Sequence, residues 1–179
     1  MDPSSQENEM TEESTDFSAE QLIAEAFKFH SQGNISEAAK YYQYFIDKGF
    51  KDHRVFSNYG SILQGLGKLK EAEIYTRKAV ELNPNFANAH SNLGNILRDL
   101  GNLQNAELST RKAIALNPNF ANAYSNLGGI LIDMGRLKEA EIYTRKAIEL
   151  NPNSANAHSN LGNLLRDLGN LQNAELSTR

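Results

Sequence analysis

In the middle of the chain apolar residues recur at a helical interval. Ala89, Leu93, Ile96 and Leu100 stand at i, i+4, i+7 and i+11, and His90, Gly94 and Leu97 form a second stripe beside them. That spacing predicts a helix buried over more than one face. Gly101 then predicts a left-handed stop, and Asn102 is placed to cap the next helix. This second helix is expected through Leu103, Ala106, Thr110, Ala113 and Ile114, ending at Asn117-Pro118, because proline disfavours a helical conformation in the residue before it. The predicted unit is a helical hairpin. Small residues (Gly94, Ala106 and Ala113, then Gly128, Ala140 and Ala147) stand where its two helices must approach within about 8 to 10 Å.

The pattern repeats. "GKLKEAEIYTRKAVELNPNF" at 67–86 returns as "GNLQNAELSTRKAIALNPNF" at 101–120 and "GRLKEAEIYTRKAIELNPNS" at 135–154, an offset of 34 residues each time. A unit of this size cannot bury its apolar face alone, so the expected fold is all-α, an α-solenoid of stacked antiparallel hairpins. Placing the proline near the end of each unit gives repeats 53–86, 87–120 and 121–154 and an incomplete one, 155–179, within a solenoid of residues 19–179. A divergent row, 19–52, keeps Gly33, Ala38 and Tyr41 in register but carries Phe45 where the others have Ala79, Ala113 and Ala147. It reads as an amino-terminal cap. "ANAHSNLGN" occurs at both 87–95 and 155–163, two units apart, which points to duplication of the units in pairs.

The 34-residue period, the pairs Leu93-Gly94, Leu127-Gly128 and Leu161-Gly162, a glycine at each hairpin turn, two alanines in each second helix and the closing proline resemble the tetratricopeptide repeat (TPR). The large aromatic early in the first helix is present as Phe56 and Tyr124 but is replaced by His90 and His158 in alternate rows. The resemblance implies a right-handed superhelix whose first helices line a concave groove for peptides or partner proteins, with no intrinsic catalysis.

With the apolar stripes removed, the first helix of 87–120 keeps a polar face of Asn88, Ser91, Asn92, Asn95, Arg98 and Asp99. The matching face of 121–154 holds Asn122, Ser125, Asn126, Gly129, Ile132 and Asp133, and that of 155–179 holds Asn156, Ser159, Asn160, Asn163, Arg166 and Asp167. Stacking aligns Asn58, Asn92, Asn126 and Asn160 into a ladder. An asparagine amide offers an acceptor and two donors, which match the main chain of an extended peptide. The arrangement is similar to the asparagine ladder in the repeat domain of O-linked N-acetylglucosamine transferases, which implies peptide-binding roles for these four residues, flanked by Asn88, Asn122, Asn156, Asn95 and Asn163. The competing reading has each ladder asparagine bonded to the adjacent hairpin, fixing the stacking angle. Another TPR subclass clamps a terminal carboxylate with groove lysines; Ser57, Ser91, Ser125 and Ser159 stand where that lysine is expected and disfavour that function.

Composition narrows the chemistry. With no cysteine there is no disulfide, thiolate nucleophile or cysteine-held metal. His90 and His158 are two units apart, about 20 Å in a stack of helical hairpins, too far to share an ion, and both are expected to pack in their hairpin interiors. No GxGxxG, P-loop, GxSxG or HExxH is present, and Glu71 and Glu73, like Glu139 and Glu141, precede basic residues at helical spacing as a solvated ion-pair face. Neither an active site nor a cofactor or metal is expected.

Residues 1–18 hold six of the 22 acidic residues and none of the 18 basic ones, so the remainder carries +2. The near-neutral body gives no case for nucleic acid, and the segment itself reads as a disordered acidic tail. No apolar run approaches the roughly 20 residues a membrane helix needs and no secretory signal is seen, so a cytoplasmic location is expected. The last row stops at "NAELSTR", partway through its second helix. The expectation is a fragment of a longer protein. The first functional expectation is a non-catalytic scaffold that binds peptides or partner proteins; the alternative is that the repeats recruit substrates for a glycosyltransferase-like enzyme beyond Arg179, with self-association through the uncapped end a further expectation.

Overall fold

The computed structural model describes residues 17–177, with side chains up to residue 169. Among these residues there are nine helices and no strand: α1 Ala19–Ser31, α2 Ile35–Asp47, α3 His53–Gly65, α4 Leu69–Leu82, α5 Ala87–Asp99, α6 Leu103–Leu116, α7 Ala121–Asp133, α8 Leu137–Leu150 and α9 Ala155–Ser177. Residues 1–16 of the expected acidic tail lie outside the described residues. Phe17 and Ser18 belong to the fold: Phe17 packs on the first core, and Ser18 caps α1 in a reciprocal box with Gln21.

Four hairpin turns, at Gly33, Gly67, Gly101 and Gly135, take the left-handed glycine that the sequence predicts. Gly101 adopts φ +76°, its N–H bonds to Arg98 O at 2.8 Å, and Asn102 N–H reaches Leu97 O at 2.8 Å. These bonds satisfy carbonyls that the end of α5 leaves open, through a left-handed residue that glycine adopts without strain. Asn102 occupies the N-cap of α6, where its main-chain oxygen accepts from Ala106 N–H at 3.0 Å, but its side chain makes no capping bond; Oδ1 instead accepts from Asn105 Nδ2 at 3.1 Å. At the other end Asn117 leaves the helix in an extended conformation, and its Oδ1 accepts from Asn119 N–H across the proline at 3.1 Å. Asn83 and Asn151 repeat this turn.

Inside each hairpin the small residues permit close contact. A Cβ at Gly94 would overlap Thr110 Oγ1 and come within 3.1 Å of Ala106 O, and Gly60 and Gly128 face Thr76 and Thr144 in the same way. Aromatic stacking alternates with the rows. Phe56 stacks on Tyr75 and Tyr124 on Tyr143, each with centroids 6.1 Å apart. In 87–120 the second-helix position is Ser109, which offers no ring, and buried His90 instead meets Pro84 O through Nε2 at 2.8 Å. His90 is therefore a packing residue that ties its hairpin to the preceding loop.

The stack is built unequally on its two sides. First helices pack on one another (α3 on α5, α5 on α7, α7 on α9), and each second helix packs on the next first helix. Second helices make little direct contact with one another, so α3, α5, α7 and α9 form the closer, inner layer.

The last row departs from expectation. α9 runs unbroken through Gly169, which does not take the positive φ of Gly33, Gly67, Gly101 and Gly135. With no second helix beside it among the described residues, His158 is exposed, contrary to its expected packing, although its Nε2 still meets Pro152 O at 2.8 Å. Leu165 is likewise exposed, whereas its counterpart Leu97 is buried.

Candidate functional site

The inner layer carries the predicted polar face. Asn88, Asn92 and Asn95 share one side of α5 by helical periodicity, as Asn122 and Asn126 do on α7 and Asn156, Asn160 and Asn163 on α9. Asn58, Asn92, Asn126 and Asn160 are half-buried, as is Asn95; Asn88, Asn122, Asn156 and Asn163 are exposed. The row of Asn95 and Asn163 is interrupted at Gly129, over which the Arg98 guanidinium lies.

Each ladder asparagine donates one amide N–H to the preceding hairpin. Asn92 Nδ2 reaches Ser57 Oγ at 3.0 Å and Asn126 Nδ2 reaches Ser91 Oγ at 3.1 Å. Asn160 Nδ2 bonds to the main-chain oxygen of Ser125 at 3.0 Å, and Ser125 Oγ is buried without a partner. At the first rung the divergent row places Ile23 where the serine stands elsewhere, and the hydroxyl comes from α2 instead: Asn58 Nδ2 meets Tyr42 Oη at 3.2 Å. Tyr42 Oη is also 3.0 Å from His30 Nδ1. Burial pushes the Tyr42 hydroxyl pKa up against the lowering effect of Asn58, and burial pulls that of His30 down, so this corner is neutral at physiological pH. A shallow cavity of about 250 Å³ opens beside it, lined by Phe27, His30, Ser31, Tyr42 and Asn58.

Bonds in the same register run along the other end of the first helices. Gln64 Nε2 donates to Asp99 Oδ2 at 2.6 Å, and Arg98 Nη2 to Asp133 Oδ1 at 3.2 Å. Arg98 and Asp99 therefore do not pair with each other; each is tied to a neighbouring hairpin. These links, like the Ser–Asn links, join residues 35 apart, so contact between first helices is staggered by one residue from the 34-residue period. Arg98 and Asp133 thus pair across hairpins while Asp99 is held by the Gln64 amide, and the ladder positions between them present amides.

On the outer side a network joins 87–120 to 121–154. Glu107 accepts from Arg111 Nε at 2.8 Å and Arg136 Nη1 at 2.6 Å, while Arg111 also reaches Glu139 at 2.7 Å and the Tyr143 hydroxyl at 2.7 Å. Burial raises the Glu107 pKa, but the hydrogen bonds and charges of Arg111 and Arg136 outweigh it and hold the carboxyl below its ordinary range. Arg77–Glu73 and Arg145–Glu141 are the expected ion pairs along single helices.

Family models for the tetratricopeptide repeat match residues 53–86, 87–120, 121–154 and 143–175. The chain belongs to the tetratricopeptide repeat family. Solved TPR structures share the fold. The crystal structure of MamA protein is 23% identical, with 84% of this chain and 82% of that one covered and a TM-score of 0.68. YrrB, described as a TPR protein with an unusual peptide-binding site, is 24% identical over 79% of this chain and 73% of its own, with a TM-score of 0.67. The first TPR of Spaghetti (RPAP3), bound to HSP90 peptide SRMEEVD, is 26% identical over 65% of this chain and 93% of its own, with a TM-score of 0.61. No match is found among curated proteins. Among the described residues no helix is long and apolar enough to cross a membrane. TPR domains are typically non-catalytic interaction scaffolds, and this chain shares that architecture.

The 34-residue period placed every ladder asparagine on the inner layer, but it did not reveal their serine and tyrosine partners. The signal was in the sequence as the 35-residue interval from Ser57 to Asn92 and from Ser91 to Asn126. Tyr42, contributed by a second helix, has no counterpart in the other rows from which to infer it.

Proposed function

We propose that the inner face of α3, α5, α7 and α9 is a groove for an extended peptide of a partner protein. Asn58, Asn92, Asn126 and Asn160 grip its main chain, flanked by Asn88, Asn95, Asn122, Asn156 and Asn163. The observation that carries this reading is that each ladder amide is half-buried and uses only one N–H in stacking. Its oxygen and second N–H match the N–H and C=O of a peptide. The Spaghetti domain, 26% identical and bound to an HSP90 peptide, supports peptide binding by this fold. Stacking and binding then use different atoms of one amide and are not rival roles. At a net of about 0.5 to 1.5 kcal/mol per hydrogen bond, two bonds at each of four rungs supply about 4 to 12 kcal/mol. The cost of ordering the peptide, about 2 to 5 kcal/mol, leaves weak binding, no tighter than the micromolar class at the middle of both ranges.

The test is the affinity of a binder selected from a random twelve-residue peptide library. Changing Asn92, Asn126 and Asn160 together to alanine weakens it at least several-fold while helical circular dichroism is retained. Asn126→Asp separates the two roles: Ser91 can donate its hydroxyl to the new carboxylate and keep the link, but the amide donor is gone, so binding falls and the stack persists. Unchanged affinity in these folded variants would exclude the ladder from binding.

A further inference from the structure

The serines beneath the ladder are buried, with Ser57 0% and Ser91 2% exposed, so they lie out of reach of a peptide in the groove. Their hydroxyls nevertheless end on the amides of Asn92 and Asn126. A half-exposed asparagine amide rotates broadly about its last side-chain bond, and ordering it on binding costs affinity. A hydrogen bond from one N–H to a fixed buried oxygen sets that rotation in the free protein, leaving the carbonyl oxygen and second N–H aimed the same way at successive rungs. We infer that Ser57 and Ser91 are positioning residues of the groove, which preorganise the amides of Asn92 and Asn126 for the main chain of an extended peptide. This rests on the groove reading and adds residues that touch no ligand.

The fourth rung supplies an internal control. Ser125 is as buried as the other two, at 3% exposure, but its hydroxyl has no partner and Asn160 bonds to its main-chain oxygen. Removing the Ser125 hydroxyl therefore leaves an equally small void without releasing an amide. The serine is effective only where the next asparagine meets its side chain.

The experiment is a double-mutant cycle on the library-selected twelve-residue peptide, read by calorimetry. Ser91→Ala weakens binding by about two- to tenfold, the range set by the cost of ordering one polar side chain. In the Asn126→Ala background the same change has no effect, because the amide it positions is absent. Ser125→Ala leaves affinity unchanged. In the free protein, the Asn126 side-chain amide proton resonances move toward each other in Ser91→Ala, as expected when a fixed amide becomes mobile. If Ser91→Ala leaves affinity intact, or weakens it equally with and without Asn126, the serine acts only in stacking and the inference is overturned. Should Ser91→Ala fail to fold, Ser57→Ala with Asn92→Ala runs the same cycle one interface earlier. Failure to recover any peptide whose binding depends on the ladder overturns the groove reading and this inference with it. A ladder-dependent peptide indifferent to both serines overturns this inference alone.

Discussion

At the scale of the residue, one glycine and one asparagine show what a repeated sequence specifies. Gly94 is required by space, since a Cβ there meets Thr110 and the Ala106 carbonyl of the partner helix. Gly162 is the same letter in the same repeat position, but nothing lies within 4 Å of its would-be Cβ. Gly94→Ala should therefore cost about 1 to 3 kcal/mol through overpacking. Gly162→Ala should be neutral or stabilise by up to about 1 kcal/mol through helix propensity. Urea unfolding of the two variants checks the contrast, and equal effects would contradict the packing given for the hairpin. The asparagines were legible as a row because their spacing equals the repeat. Their orientation was not, because it depends on a stagger of one residue between neighbouring helices and, at Asn58, on a tyrosine from a different helix.

At the scale of the element, the hairpins were legible because local rules agree: apolar stripes at helical spacing, a left-handed glycine, and an asparagine–proline stop. α9 was not, since the choice between a turn and a continuous helix depends on what packs against the returning segment. The outer network of Arg111, Glu107, Arg136 and Glu139 likewise joins repeats and is invisible within one. It has a pH consequence. Because the folded Glu107 pKa is depressed, its contribution to stability is fully present above the ordinary carboxylate value and is lost as pH falls through the folded value. Glu107→Gln should lower Tm at neutral pH and flatten the loss of Tm on acidification below about pH 4, where an ordinary glutamate titrates. Thermal melts from pH 7 to pH 2.5 compare the two chains; parallel curves would deny the network a role in folding stability.

At the scale of the whole molecule, repetition converts a weak contact into a ruler. Neighbouring first helices meet with the same one-residue stagger at Ser57–Asn92 and Ser91–Asn126, so equivalent amides recur from hairpin to hairpin along the inner layer. Of the charged groups that share that layer, Arg98 pairs with Asp133 and the Asp99 carboxylate accepts from the Gln64 amide, so these side chains are engaged between hairpins and the row of asparagine amides is what remains for main-chain recognition. The outer face carries exposed Ile74, Leu108 and Ile142 at the repeat interval, but the polar amides lie on the inner helices. The most direct test is a map of side-chain amide resonances on titrating the library-selected peptide into the ¹⁵N-labelled protein. The groove reading predicts that the Asn58, Asn92, Asn126 and Asn160 side-chain amides shift together and saturate with one binding constant. Shifts confined to the outer helices α4, α6 and α8, with those four amides unmoved, would contradict it.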